Sequence, residues 1–122
     1  MSNLQLSLIE KWFRMTEEEI KLADYRELTP YWYARLCLYN GEKRSKKFWD
    51  FIGINNVNVV PSKLSFAKFE HNIMTKGYPK STDTARILKL EHKGIGIGTG
   101  SSEWGAVEGK LYFVIKHGKI LR

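Results

Sequence analysis

Cysteine is almost missing from this 122-residue chain. A lone Cys37 excludes an intramolecular disulfide framework and any cysteine-rich zinc centre, and it suits a reducing compartment, so a cytoplasmic location is expected. Long apolar runs are missing too: nothing approaches the ~18 residues of a membrane span. The first ten residues have neither the basic start nor the small-residue cleavage site of a signal peptide, and no membrane partner is expected. His71, His92 and His117 stand apart, without H-x-x-x-H or His/Cys spacing, so no metal and no cofactor is expected. There is no G-x-S-x-G elbow. Gly94-Ile95-Gly96-Ile97-Gly98-Thr99-Gly100 fits neither G-x-G-x-x-G, since Ser101 takes the final glycine position counted from Gly96, nor a P-loop.

What is present is one domain's worth of chain, residues 1–122, with 43% hydrophobic and 13% aromatic residues, enough to fill a core without staples. Its net charge of +7 is unevenly spread. Residues 1–40 hold five Lys/Arg and six Asp/Glu, whereas residues 41–122 hold fifteen and seven. The positive field therefore belongs to the later two-thirds, which favours a polyanionic partner, nucleic acid first.

Leu4, Leu6 and Leu8 alternate with Gln5 and Ser7, the period of a half-buried strand. Trp12, Phe13, Met15 and Ile20 fall near helical spacing, with Thr16 read as a cap ahead of Glu17, Glu18 and Glu19. Residues 23–28 read as a second strand, stopped by Thr29-Pro30. Pro30 is placed to open a helix carrying Trp32, Leu36 and Tyr39 on one stripe and Cys37 on its flank, closed by Asn40-Gly41. Residues 42–47 read as a solvated basic connection without interleaved aromatic groups. Residues 53–63 are ambiguous between loop and strand, 64–71 alternate as a strand, and 72–83 read as an exposed loop. Residues 84–92 and 111–117 are strands by β-branched and aromatic content, joined by a Gly-rich connection or distorted hairpin over 94–109. The period-two glycines there are expected to allow close packing. The fold class is α+β: five or six mostly antiparallel strands and two or three short helices, most economically curled into a small barrel.

Aromatic and basic residues interleave at Trp12-Phe13-Arg14, Tyr25-Arg26 and Tyr31-Trp32-Tyr33-Ala34-Arg35, the chemistry that stacks a base and neutralises a phosphate. Lys21 and Asp24, close to Arg26, are an ion-capable pair that converges only if Lys21 lies before the strand or on a bulge. The plain alternative is a surface ion pair of little energetic value, with Lys21 exposed at an element boundary. Cys37 reads as a packed thiol, not a nucleophile.

Trp12-Phe13-Arg14-Met15, Lys21-Leu22-Ala23-Asp24-Tyr25-Arg26-Glu27, Pro30-Tyr31-Trp32, Gly77-Tyr78, Glu103-Trp104-Gly105-Ala106 and Lys116-His117-Gly118-Lys119-Ile120-Leu121 together resemble, in order and spacing, the ASCH domains, particularly small stand-alone and phage-encoded ones. In the G-x-K-x-x-E signature Lys21 is retained, Glu19 replaces the glycine and Asp24 the glutamate. Losing the glycine implies that the turn before the strand is now a helix end, because Glu tolerates positive φ poorly. The resemblance implies a PUA-like β-barrel with a cleft beside the signature, and binding of RNA or a modified nucleoside. Some small relatives hydrolyse acetylated cytidine with a lysine, a threonine and a glutamate; Asp24 stands where their threonine falls and is not the hydroxyl nucleophile that reaction needs.

The expected function is therefore binding of single-stranded RNA or a nucleotide in a basic cleft. Lys21 and Arg26 would engage phosphate or a base carbonyl, Asp24 would orient Lys21, and Tyr78 and Trp104 would stack from rim loops. The alternatives are a small hydrolase with Lys21 or Asp24 as acid or base, and a protein-binding accessory that meets an acidic partner through Lys43 to Lys47.

Overall fold

The structure, a computed structural model, describes residues 2–52 and 63–121. Among them are seven strands and three α-helices in an α+β arrangement, and five of the strands form one curled sheet, a half-barrel. The ambiguous stretch over 53–63 lies, apart from Lys63, outside the described residues.

Strand β1 (Leu4–Leu8) points three leucines into the core, as its alternation requires. Helix α1 (Glu10–Glu17) follows, burying Phe13 and Thr16. Thr16 does not open a helix. It sits in the last turn of α1, its hydroxyl donating to the Trp12 carbonyl at 2.8 Å, because the periodicity already runs from Glu10. The helix ends in a Schellman motif: Glu19 N–H donates to Thr16 O at 3.1 Å and Ile20 N–H to Met15 O at 2.9 Å. Glu19 holds φ +60°, so the helix end is real but the left-handed geometry a glycine would supply persists without the glycine.

Strand β2 (Ala23–Arg26) then leads through Thr29, whose side chain caps Trp32 N–H, into helix α2 (Pro30–Leu36), opened by its proline. This helix is shorter than its sequence implied. Cys37 is extended and starts strand β3 (Cys37–Tyr39), so the thiol lies on a strand, and the face α2 buries is Tyr33 with Leu36. Asn40 and Gly41, both at positive φ, form the tight turn that bridges Tyr39 to Glu42, and do not end a helix. The basic run is only half loop, since Lys46 begins helix α3 (Lys46–Ile52), and it has an aromatic partner, Arg44 lying 5.0 Å from the Phe48 ring centroid. On α3 Trp49 is fully buried against Tyr33 and Tyr39.

The alternation over 64–71 is broken in two: strand β4 (Leu64–Phe66) pairs with β3, and strand β5 starts only at His71. Strand β5 (His71–Lys76) occupies what the sequence presented as loop. It lies parallel to β1 and antiparallel to β6 (Ile87–Gly98), with Asn72 and Met74 turned inward. Strand β7 (Tyr112–Ile120) completes a hairpin with β6, distorted by register shifts on either side of His92, and pairs on its other edge with β2, giving the order β1-β5-β6-β7-β2. The period-two glycines do not pack closely: a Cβ at Gly94, Gly96 or Gly98 would meet nothing, whereas one at Gly100 would strike the Tyr25 ring at 2.6 Å.

The two outermost strands approach each other across the open seam. Here side chains stand in for a ladder: Arg26, on β2, donates to Ser7 O at 2.9 Å, and Arg35, on α2, to Gln5 O at 2.7 Å. Phe113, Ile115, Leu88 and Met74 fill the interior with no exposure, each worth roughly 1.5 to 3 kcal/mol of hydrophobic stabilisation. Among the described residues no helix is long and apolar enough to cross a membrane.

Candidate functional site

The Schellman end of α1 turns the chain so that Ile20 and Leu22 face solvent while Lys21 points inward, only 2% exposed. Its ammonium donates to Ala23 O at 2.7 Å and to Asp24 Oδ1 at 3.1 Å, and lies 5.9 Å and 5.7 Å from the ring centroids of Trp12 and Tyr25. The other Asp24 oxygen accepts from Arg26 Nε at 2.6 Å. Lys21 lies just before β2, the position from which it and Asp24 can converge, but the pair is buried and not a surface one. Burial pushes the Lys21 pKa below its usual value, against the opposing pull of Asp24.

A histidine supports the same backbone. His117 Nε2 lies 2.7 Å from Lys21 O, so this nitrogen carries the proton and donates, while buried Nδ1 has no partner among the described residues. Burial lowers its pKa, which keeps the ring neutral. Cys37 is fully buried and its thiol is pushed up to about 12 by that burial, which removes it from nucleophilic chemistry.

Lys21 and Asp24 lie at one side of a cleft of about 260 Å³ walled by Trp12, Tyr25, Trp104 and Tyr112. The loop over 99–111 forms its roof. Two tyrosine hydroxyls hold that loop down: Tyr25 accepts from Ser101 N–H and Tyr112 from Val107 N–H, both at 2.9 Å. Gly105, at φ +96°, lets the loop pass the Trp12 ring, which a Cβ would approach to 2.9 Å. At the margin Glu27 pairs with Lys110 at 2.7 Å.

Arg26 and Tyr78 do not share this cleft. They line a second one, of about 230 Å³, with Trp32, Tyr31, Arg35 and β1. Asp24 ties the two together, holding Lys21 of the first and Arg26 of the second on its two oxygens. The five residues singled out from sequence thus divide into Lys21, Asp24 and Trp104 on one side and Arg26 and Tyr78 on the other. Trp12, Tyr25, Tyr112 and Glu27 complete the first cleft, and Trp32 and Arg35 the second. The aromatic–basic interleaving marked most of these, but not which would meet. Among the described residues, no three His, Cys, Asp or Glu side chains gather as a metal site.

The chain matches no protein-family model, no curated protein and no solved structure.

Proposed function

We propose that the protein binds single-stranded RNA or a nucleotide or modified nucleoside, with one base in the cleft beside Lys21. One observation carries this reading: an almost fully buried ammonium at the side of a small cleft that four aromatic rings line together with Asp24 and Glu27. Burying a lysine is costly, and Asp24 offsets that cost only in part. Two of its three protons are used by Ala23 and Asp24, which leaves one for a base carbonyl. Trp104 and Trp12 offer faces for stacking, the means by which proteins hold unpaired bases. A cleft somewhat below the ~300 Å³ at which pockets for drug-sized ligands begin suits one planar ring system. The ASCH resemblance, with Lys21 at its signature lysine, points the same way.

A hydrolytic reading has one observation in its favour, the lowered pKa of Lys21 beside an acid. Against it, both Asp24 oxygens are already engaged, and the nearby Thr16 hydroxyl is spent on Trp12 O.

Titration with short single-stranded RNAs and free nucleosides tests the proposal. Replacing Trp104 by alanine or Lys21 by methionine should weaken binding on the order of ten- to a hundred-fold, and RNA affinity should fall steeply with salt. Affinity indifferent to both substitutions and to salt would refute it.

A further inference from the structure

The second cleft plays no part in that reading, and its chemistry is different. Two guanidiniums lie over the Trp32 ring, Arg26 at 4.9 Å and Arg35 at 4.8 Å from a ring centroid. Each arginine is also tied to a β1 carbonyl, Ser7 O or Gln5 O, so both are held in place before any ligand arrives. A guanidinium has five N–H donors. Among the described residues Arg26 spends others only on Asp24, and Arg35 only on a long, 3.4 Å contact to the Tyr31 hydroxyl. Among the described residues no carboxylate lines this cleft. Asp24 meets Arg26 from the buried side. At the cleft's margin Tyr78 is 94% exposed and Tyr31 50% exposed, so both rings are free to meet a ligand.

We propose that this second cleft is a phosphate site, taking the phosphoryl group of a nucleotide or of a polynucleotide strand between Arg26 and Arg35, with Tyr78 and Tyr31 beside the ring of that nucleotide unit, which is a different unit from the one whose base enters the first cleft. The guanidinium fork matches phosphate oxygens in spacing and plane, and stacking on an indole fixes that plane. Arginines with interleaved aromatic faces form the usual platform for a single strand. The first cleft suits an anion less well, because the two ammoniums at it are each already paired with a carboxylate of its wall, Lys21 with Asp24 and Lys110 with Glu27. That the phosphate is borne by a nucleotide rests on the reading of the first cleft; the anion site itself does not.

The four tryptophans give the test its resolution. In ¹⁵N-labelled protein the indole N–H of Trp32 reports on the second cleft, those of Trp12 and Trp104 on the first, and that of buried Trp49 on neither. Inorganic phosphate, adenosine, adenosine 5′-monophosphate and hexa-adenylate are titrated in turn. Phosphate and the monophosphate should shift Trp32, and the monophosphate should bind at least about ten-fold more tightly than adenosine. Arg35→Gln should abolish that gain while leaving adenosine affinity unchanged, and Arg35→Lys should not restore it. Tyr78→Ala, at a fully solvated position, should weaken the monophosphate but not inorganic phosphate. Hexa-adenylate binding above the monophosphate assigns the site to a strand, and equal binding to a mononucleotide. If adenosine fails to bind while phosphate still moves Trp32, the first-cleft reading falls and this one stands. Equal affinity for adenosine and its monophosphate, or a Trp32 signal that stays fixed, overturns the phosphate site.

Discussion

Asp24 receives Lys21 on Oδ1 at 3.1 Å where almost no solvent reaches either side chain, and the same carboxylate receives Arg26 on its other oxygen. One acid therefore balances two cations. Asp24→Ala should cost about 3 to 5 kcal/mol, because it strands a buried ammonium. Lys21→Met should cost less than about 1.5 kcal/mol, since methionine approaches the volume and Asp24 keeps Arg26. Urea denaturation of both variants checks the asymmetry, and equal losses would mean that Lys21, not Asp24, organises the cluster.

The pH dependence of stability should carry the mark of two histidines. His117 and His92 both have pKa values lowered by burial from the usual 6.5. Below that value the unfolded chain takes up protons that the folded chain refuses, so the histidine contribution to stability is complete above pH 6.5 and declines as pH falls. Glu10 and Glu91, also lowered, act only below their usual 4.5. His117→Gln, whose amide can still donate to Lys21 O, should flatten the slope below pH 6.5. Thermal melts across that range measure it; an unchanged slope would place the proton uptake elsewhere.

Glu19→Gly should raise stability by about 1 kcal/mol, because an L-residue pays a steric penalty at φ +60° that glycine escapes. A melting temperature equal to or below the parent's would show that the glutamate side chain contributes something the Schellman geometry does not reveal.

The interior admits a direct check. Phe113→Ala should cost on the order of 3 to 5 kcal/mol, since Phe113 has no exposure. Phe66, half-buried and 6.4 Å from it between ring centroids, should cost distinctly less. Losses below about 1 kcal/mol at both would mean that the sheet faces the other way.

Strong alternation made β1 legible, and Thr29-Pro30 made the start of α2 legible. Elsewhere a competing rule won. Asn40-Gly41 suits a helix end and a two-residue hairpin equally well, and the extended Cys37 decided for the hairpin. In β5 the inward residue Asn72 is polar, bonding His92 Nδ1 at 2.7 Å and Lys116 O at 3.4 Å, so the buried face did not read as apolar. The first cleft was half visible: the signature spacing marked Lys21 and Asp24, but their burial depends on the helix end and on β7, distant in sequence. Tyr78 and Trp104 looked alike as loop aromatics. Only the folded chain separates them, since Tyr78 follows β5 on the far side of Arg26 while Trp104 sits in the β6–β7 loop pinned by Tyr25 and Tyr112.

The most direct measurement is a crystal of the protein soaked with nucleosides and mononucleotides. The account predicts density for a planar base between Trp12 and Trp104, with a carbonyl oxygen in hydrogen-bonding reach of Lys21 Nζ. A ligand bound elsewhere, with the cleft beside Lys21 empty, would contradict it.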